Sequence, residues 1–294
     1  MKTPIFTGAC VAIVTPYHEN GIDFDKLGEL IELQIAGGTS AITVCGTTGE
    51  ASTQTIEEHK AAIEYCVKKV DHRVKVIAGT GSNCTMTALD LSLYAESCGV
   101  DGLLIVTPYY NKATQAGLIK HYTYIADRVH TPIIMYNVPS RTGTAFTAET
   151  YYELSKHPMI NGIKEASGNF SLVTHTLALC GDNINIWSGN DDQVVPLMAL
   201  GAKGVISVVA NVAPKLMVDM THLCLAGDYA SASKLQIENM DFIDSLFLEV
   251  NPIPVKAAMN LIGMEAGGLR LPLCDISDKN LETLRQAMQR AGLL

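Results

Sequence analysis

The stretch VKVIAGTGSNCTMTALDLSLYAESCGVDGLLIVTPYY, Val74 to Tyr110, decides the fold. It opens and closes with apolar, β-rich runs (74–81 and 102–110), and the segment between them reads as a helix ended by Gly99. A strand that is apolar throughout has both faces covered, which is the mark of a parallel sheet clothed in helices. The same unit recurs along the chain. Strands are expected at 9–17, 41–48, 74–81, 102–110, 132–139, 160–167, 184–190 and 204–211, each followed by a helical pattern. Asp23, Thr55 with Glu58 three residues on, and Thr147 are helix-start signals, while Gly37-Gly38, Gly99 and Gly181 suit helix ends. Eight such units, with no Gly-rich dinucleotide fingerprint after the first strand, predict an α/β chain folded as a closed (β/α)8 TIM barrel rather than an open doubly wound sheet. Beyond about residue 225 the strand pattern stops and three helical segments follow. The expected organisation is a barrel domain over 1–225 and a C-terminal three-helix appendage over 226–294, with no linker between them.

Composition narrows the function classes. The 294 residues are 48% hydrophobic and 17% charged, which is ample material for a compact core and unlike a disordered chain. A formal net charge of −9 without any Lys/Arg cluster argues against nucleic acid as a partner. The start of the chain, MKTPIFTGAC, has no apolar leader core, and the most apolar later stretch, GVISVVANVAP, is too short to span a bilayer, so a soluble, cytoplasmic protein is expected. The eight cysteines are scattered without a C-x-x-C and read as reduced core residues; neither a metal nor a cofactor is expected.

In a parallel barrel the chemistry lies at the carboxyl ends of the strands, and here those ends are polar: CGTTGE, TPYYN, YNVPSRTG, KEASGN and SGNDD. Within GIKEASGN (162–169), alternation puts Gly162, Lys164 and Ala166 on one face of the strand; if that face is the barrel interior, small residues leave space above and below an amine. An ordinary lysine amine, with a pKa of about 10.4, is almost wholly protonated at neutral pH, and burial lowers that value by up to ~3–5 units, which turns an amine into a nucleophile for a ketone. Tyr136, on the neighbouring strand with inward parity, is placed to stand beside it and move protons during imine formation. Thr47 and Thr48, between Gly46 and Gly49, suit a cradle for a carboxylate, and the planar fork of Arg141 suits a second one. Taken singly, each has a plainer explanation: a snorkelling or paired lysine, an aromatic at the barrel mouth, turn threonines, a solvated arginine. Their common location is what argues for chemistry.

With these residues in view, the chain resembles the pyruvate-dependent aldolase and lyase family of dihydrodipicolinate synthase and N-acetylneuraminate lyase, along essentially its whole length. The resemblance rests on GTTGE (46–50), TPYYN (107–111), YNVPSRTG (136–143), GIKEASG (162–168), NPIPVK (251–256) and LRLPL (269–273). Within that family, GTTGE, the arginine of YNVPSRT and NPIPVK are similar to the dihydrodipicolinate synthase branch. The resemblance implies that Lys164 forms a Schiff base with pyruvate, and that the enamine attacks L-aspartate-4-semialdehyde. It also implies a proton relay of Tyr136, Thr48 and Tyr110, with Tyr110 reaching a neighbouring subunit's site. Thr47 and Thr48 would hold the pyruvate carboxylate, Arg141 the carboxylate of the semialdehyde, and Gly189 and Ile206 would line the pocket through backbone groups. A homotetramer, a dimer of dimers, is the implied assembly.

One departure from the family is expected to matter. Where lysine-inhibited members carry Ser, His and Glu, this chain has Ala51, Ile56 and Thr87, although His59, Asn83 and Tyr109 are retained. Weak or absent inhibition by L-lysine is therefore expected. The alternatives are a sister aldolase acting on a 2-keto-3-deoxy sugar acid or N-acetylneuraminate, a non-catalytic keto-acid sensor, and a phosphate-binding barrel. The last has only Lys203 and Lys215 near the seventh and eighth strand ends.

Overall fold

The structure is a computed structural model, and it describes residues 2–294. Eight parallel strands close a barrel: β1 (Gly8–Ala12), β2 (Ala41–Val44), β3 (Lys75–Gly79), β4 (Gly102–Val106), β5 (Ile133–Asn137), β6 (Ile160–Glu165), β7 (Asn185–Ser188) and β8 (Gly204–Ser207). Each pairs with its neighbours in sequence, and β8 closes the ring on β1 through Gly8↔Gly204 to Val11↔Ser207. All eight expected strands are present, but each stops earlier at its carboxyl end than the apolar runs suggest. The apolar and turn residues beyond those ends leave the ladder and form the loops of the barrel mouth. After β1, the segment past Pro16 turns instead into a two-residue hairpin, Tyr17–His18 with Gly21–Ile22.

The barrel helices are α1 (Phe24–Ala36), α2 (Ile56–Val70), α3 (Thr85–Cys98), α4 (Gln115–Ala126), α5 (Ala148–Ser155), α6 (Phe170–Cys180), α7 (Val194–Ala199) and α8 (Pro214–Leu225). Their starts follow the sequence signals. Asp23 accepts a hydrogen bond from Lys26 N, Thr147 accepts from Thr150 N, and Thr55 and Glu58 form a reciprocal capping box. Two apolar layers result. Phe6, Cys10, Ala12, Ala41, Ile77, Leu104, Ile134, Tyr136, Trp187 and Ile206 fill the barrel interior, and a larger cluster, including Ile42, Leu103, Met135 and Ile163, packs the outer strand faces against the helices.

Past residue 225 the chain is helical: α9 (Tyr229–Glu238), α10 (Met240–Ser245), α11 (Ile253–Leu261) and α12 (Asp278–Arg290). The first of the three expected segments is thus two helices that meet at Asn239. These helices do more than cover an outer face. The segment 251–256 is buried and approaches the loop after β2, contacting Thr48 and Glu50. Among the described residues no helix is long and apolar enough to cross a membrane.

Candidate active site

Strand register puts the two central groups side by side. Tyr136 on β5 is the direct partner of Lys164 on β6, and parallel pairing sends both side chains to the barrel interior. Lys164 is 5% exposed and Tyr136 7%, and the Lys164 Nζ lies over the tyrosine ring, 4.4 Å from its centroid. The expected parity holds: Ile134 and Tyr136 belong to the inner cluster, Ile163 to the outer one. Among the described residues, Lys164 takes part in no ion pair. The expected room below the amine is not there. A Cβ on Gly162 would lie 2.5 Å from Trp187 Cζ3 and 2.5 Å from Asn185 O, so the indole of β7 fills the layer under Lys164. Trp187 is locked there by stacking on Phe6 at 5.0 Å and by donating from Nε1 to Phe6 O at 3.2 Å. On the other side, Gly189 backs onto the lysine stem, where its own Cβ would be 3.1 Å from Lys164 Cγ and Cε. The strand's small residues therefore admit neighbours from β7, because barrel layers interdigitate.

The loop after β2 carries Thr47 and Thr48. Its left-handed residues are Cys45 (φ +56°) and Glu50 (φ +54°), not the flanking glycines; Gly49 is needed instead for close approach, since a Cβ there would meet Ile13 O and Thr15 Oγ1 at 3.2 Å. Thr15 Oγ1 donates to Gly49 O at 2.7 Å and fixes the turn from β1. Thr48 is buried, and its Oγ1 accepts a hydrogen bond from Asn251 Nδ2 at 3.0 Å. That leaves the hydroxyl proton of Thr48 free to donate. Arg141, in the short helical turn Pro139–Thr142 after β5, donates from Nη2 to Asn251 O at 3.3 Å. Asn251 thus touches both the threonine turn and the arginine, and its Oδ1 is buried without a hydrogen-bond partner among the described residues. In the sequence, NPIPVK carries a family resemblance but no local signal for Asn251, whose partners lie 203 and 110 residues away along the chain.

A cavity of about 430 Å³ opens beside this group, lined among others by Thr47, Tyr136 and Arg141, and it extends to Ala51, Ile56, His59, Thr87 and Tyr109. Lys164, Thr48, Gly189 and Ile206 are not among its lining residues; Lys164 meets the cavity's edge only through its contact with the Tyr136 ring. His59 bonds through Nε2 to Gly79 O at 2.7 Å, and burial lowers its pKa, so the neutral ring donates to that carbonyl. Tyr110 stands apart, 89% exposed with φ +72°.

Two buried carboxyls flank the strand ends. Glu165 accepts from Asn137 Nδ2 at 3.0 and 3.2 Å, from Ser167 N at 2.7 Å and from Tyr151 OH at 3.3 Å, and desolvation raises its pKa. It ties β5 to β6 one residue beyond the Tyr136–Lys164 pair. Asp191, after β7, accepts from Val208 N at 2.9 Å and is likewise raised by burial. Below them Cys10 rests on Thr43 at 3.2 Å, its thiol pushed up to about 12 by burial. It is the protonated, inert form at neutral pH.

A closed parallel barrel with its polar side chains gathered at the carboxyl ends of the strands is the architecture of a TIM-barrel enzyme. The particular family follows from comparison. Residues 5–291 match the model of the dihydrodipicolinate synthetase family, and the chain belongs to that family. It is similar to the 4-hydroxy-tetrahydrodipicolinate synthases of Thermoanaerobacter pseudethanolicus (54% identity, covering 99% of this chain and 98% of that one) and Acetivibrio thermocellus (52%, covering all of both). The crystal structure of dihydrodipicolinate synthase from Aquifex aeolicus superposes with a TM-score of 0.96 at 42% identity, covering 98% of this chain and 99% of that one.

Proposed function

We propose that this chain condenses pyruvate with L-aspartate-4-semialdehyde to 4-hydroxy-tetrahydrodipicolinate, a lyase reaction on the route to diaminopimelate and lysine, through a Schiff base on Lys164. The observation that carries the mechanism is the registered pair: a buried amine in no ion pair among the described residues, 4.4 Å from the ring centroid of an inward tyrosine. Full-length identity of 52–54% to synthases of that name supports the choice of substrates.

In this reading the neutral amine of Lys164 adds to C2 of pyruvate, and the Tyr136 hydroxyl protonates the carbinolamine oxygen as it leaves as water. The iminium withdraws electrons from C3, which loses a proton and becomes the enamine carbon. That carbon bonds to the aldehyde carbon of the semialdehyde, whose oxygen takes up a proton to become the 4-hydroxyl. The α-amine of the semialdehyde then attacks C2, closes the six-membered ring and expels the Lys164 amine. Thr48, whose oxygen is already occupied by Asn251, passes protons to and from Tyr136, and Thr47 and Thr48 hold the pyruvate carboxylate. Arg141 takes the second carboxylate, steadied by the Asn251 carbonyl. Gly189 and Ile206 shape the walls around the adduct.

Borohydride reduction with pyruvate, followed by mass spectrometry, tests this reading. The expected result is one adduct on Lys164, lost in Lys164→Ala. In Tyr136→Phe the adduct persists, with kcat lowered about 10²–10⁴-fold, the usual range for removing a general acid-base group. An unlabelled wild-type chain, or faster turnover of a sugar-derived 2-keto acid than of the semialdehyde, contradicts it. Tyr110, exposed and left-handed, is accessible to a second chain, and in the proposed homotetramer, a dimer of dimers, it completes the relay of a neighbouring site. Sedimentation should give the mass of four chains; a monomer that is fully active rules the shared relay out.

A further inference from the structure

A second buried lysine lies beneath the threonine turn. Lys256 Nζ is 2.5 Å from Glu50 Oε1, and the two side chains are 2% and 0% exposed. Glu50 closes the turn: its N–H donates to Thr47 O at 3.0 Å, and its backbone sits at φ +54°. A non-glycine residue persists in that conformation only where its surroundings over-determine it. The surroundings here are supplied by the C-terminal region. Lys256 holds one carboxylate oxygen, and the Arg270 N–H donates to the other at 3.1 Å. Lys256 is itself anchored, donating to Gly268 O at 2.7 Å and lying over the Tyr17 ring at 4.8 Å. The same ring carries the Arg270 guanidinium at 4.0 Å, and that guanidinium grips Glu58 in the first turn of α2 with two bonds of 2.7 and 2.6 Å. Asn251, five residues before Lys256, gives Thr48 its hydrogen bond. One short segment of the C-terminal region therefore holds both ends of the turn.

We propose that Glu50 and Lys256 are a positioning pair that sets the geometry of the Thr47–Thr48 turn, so that pyruvate affinity is governed from the C-terminal helices. The inference rests on the reading of that turn as the carboxylate cradle. A buried ion pair contributes little net stability compared with apolar side chains of the same volume, so its place here is explained by the geometry it imposes. Neither residue touches the reacting atoms.

The test uses the full-length double variant Glu50→Met with Lys256→Met, which keeps volume while removing both charges. Reductive trapping on Lys164 is measured against pyruvate concentration, alongside steady-state KM values for both substrates. The expected result is a folded protein whose half-saturating pyruvate concentration rises about tenfold or more, while the KM for the semialdehyde moves less than about threefold. Should the double variant fail to fold, Glu50→Gln is read by the same measure. A folded variant with wild-type pyruvate half-saturation overturns the proposal alone, as does an equal rise for both substrates, which is the signature of general loosening. A wild-type chain that forms no adduct overturns the Schiff-base reading and this proposal with it.

Discussion

Lys164 is answerable to its neighbours rather than to its own side chain. Its burial, the tyrosine face below its amine and the indole under its stem come from β5 and β7, and only strand register delivers them. The buried histidines show the same dependence. His121 on α4 shares a hydrogen bond at Nδ1 with Thr85 Oγ1 at 2.9 Å, has a buried Nε2 without a hydrogen-bond partner among the described residues, and burial lowers its pKa from 6.5 to about 4. Between those values the unfolded chain binds the proton that the folded chain refuses, so stability is lost as pH falls from 6.5 toward 4. The loss attributable to this group amounts to at most roughly 3 kcal/mol. Denaturant unfolding at pH 7.5 and 4.5 should show His121→Gln losing about 2–3 kcal/mol less than wild type across that interval. Equal pH slopes in the two proteins would remove His121 as the cause.

At the scale of the element, the register of β6 on β7 is what a substitution tests most directly. Gly162→Ala would bring its methyl group to 2.5 Å from a backbone carbonyl and from the Trp187 ring, which is held by its stacking on Phe6. Overpacking of this kind costs typically about 1–3 kcal/mol and shifts the strand carrying Lys164. A lowered Tm together with impaired pyruvate trapping is the expected outcome, and an alanine variant with wild-type Tm would mean that the layer is looser than its contacts indicate. The existence and order of the strands were legible in their apolar runs, and the helix starts in Asp23, Thr55 and Thr147. Strand ends were not, because the ladder stops where the chain turns, and a backbone such as that of Cys45, at φ +56°, has no sequence marker.

For the whole molecule, the threonine turn, the arginine and the C-terminal segment form one body, and the cavity that starts at Thr47 and Tyr136 continues to Ala51, Ile56 and Thr87. The lining of that cavity includes no carboxylate to pair with an ammonium, and His59 is occupied by Gly79 O. Activity assayed against rising L-lysine should stay near the uninhibited rate into the millimolar range; strong inhibition at low concentrations would refute the expectation. The C-terminal helices were readable in outline. Their service to the site was not, since Lys256 and Asn251 act on Glu50 and Thr48, about two hundred residues earlier.

Local periodicity was enough to reveal the alternation of buried strands and amphipathic helices, the caps that start those helices, and the face that Lys164 shares with Gly162 and Ala166. Tertiary structure alone decided what fills the layer under the lysine, which backbone angles the threonine turn adopts and which distant carboxylate Lys256 neutralises. Those outcomes depend on through-space packing and charge between segments whose separation along the chain carries no information about their distance in the fold.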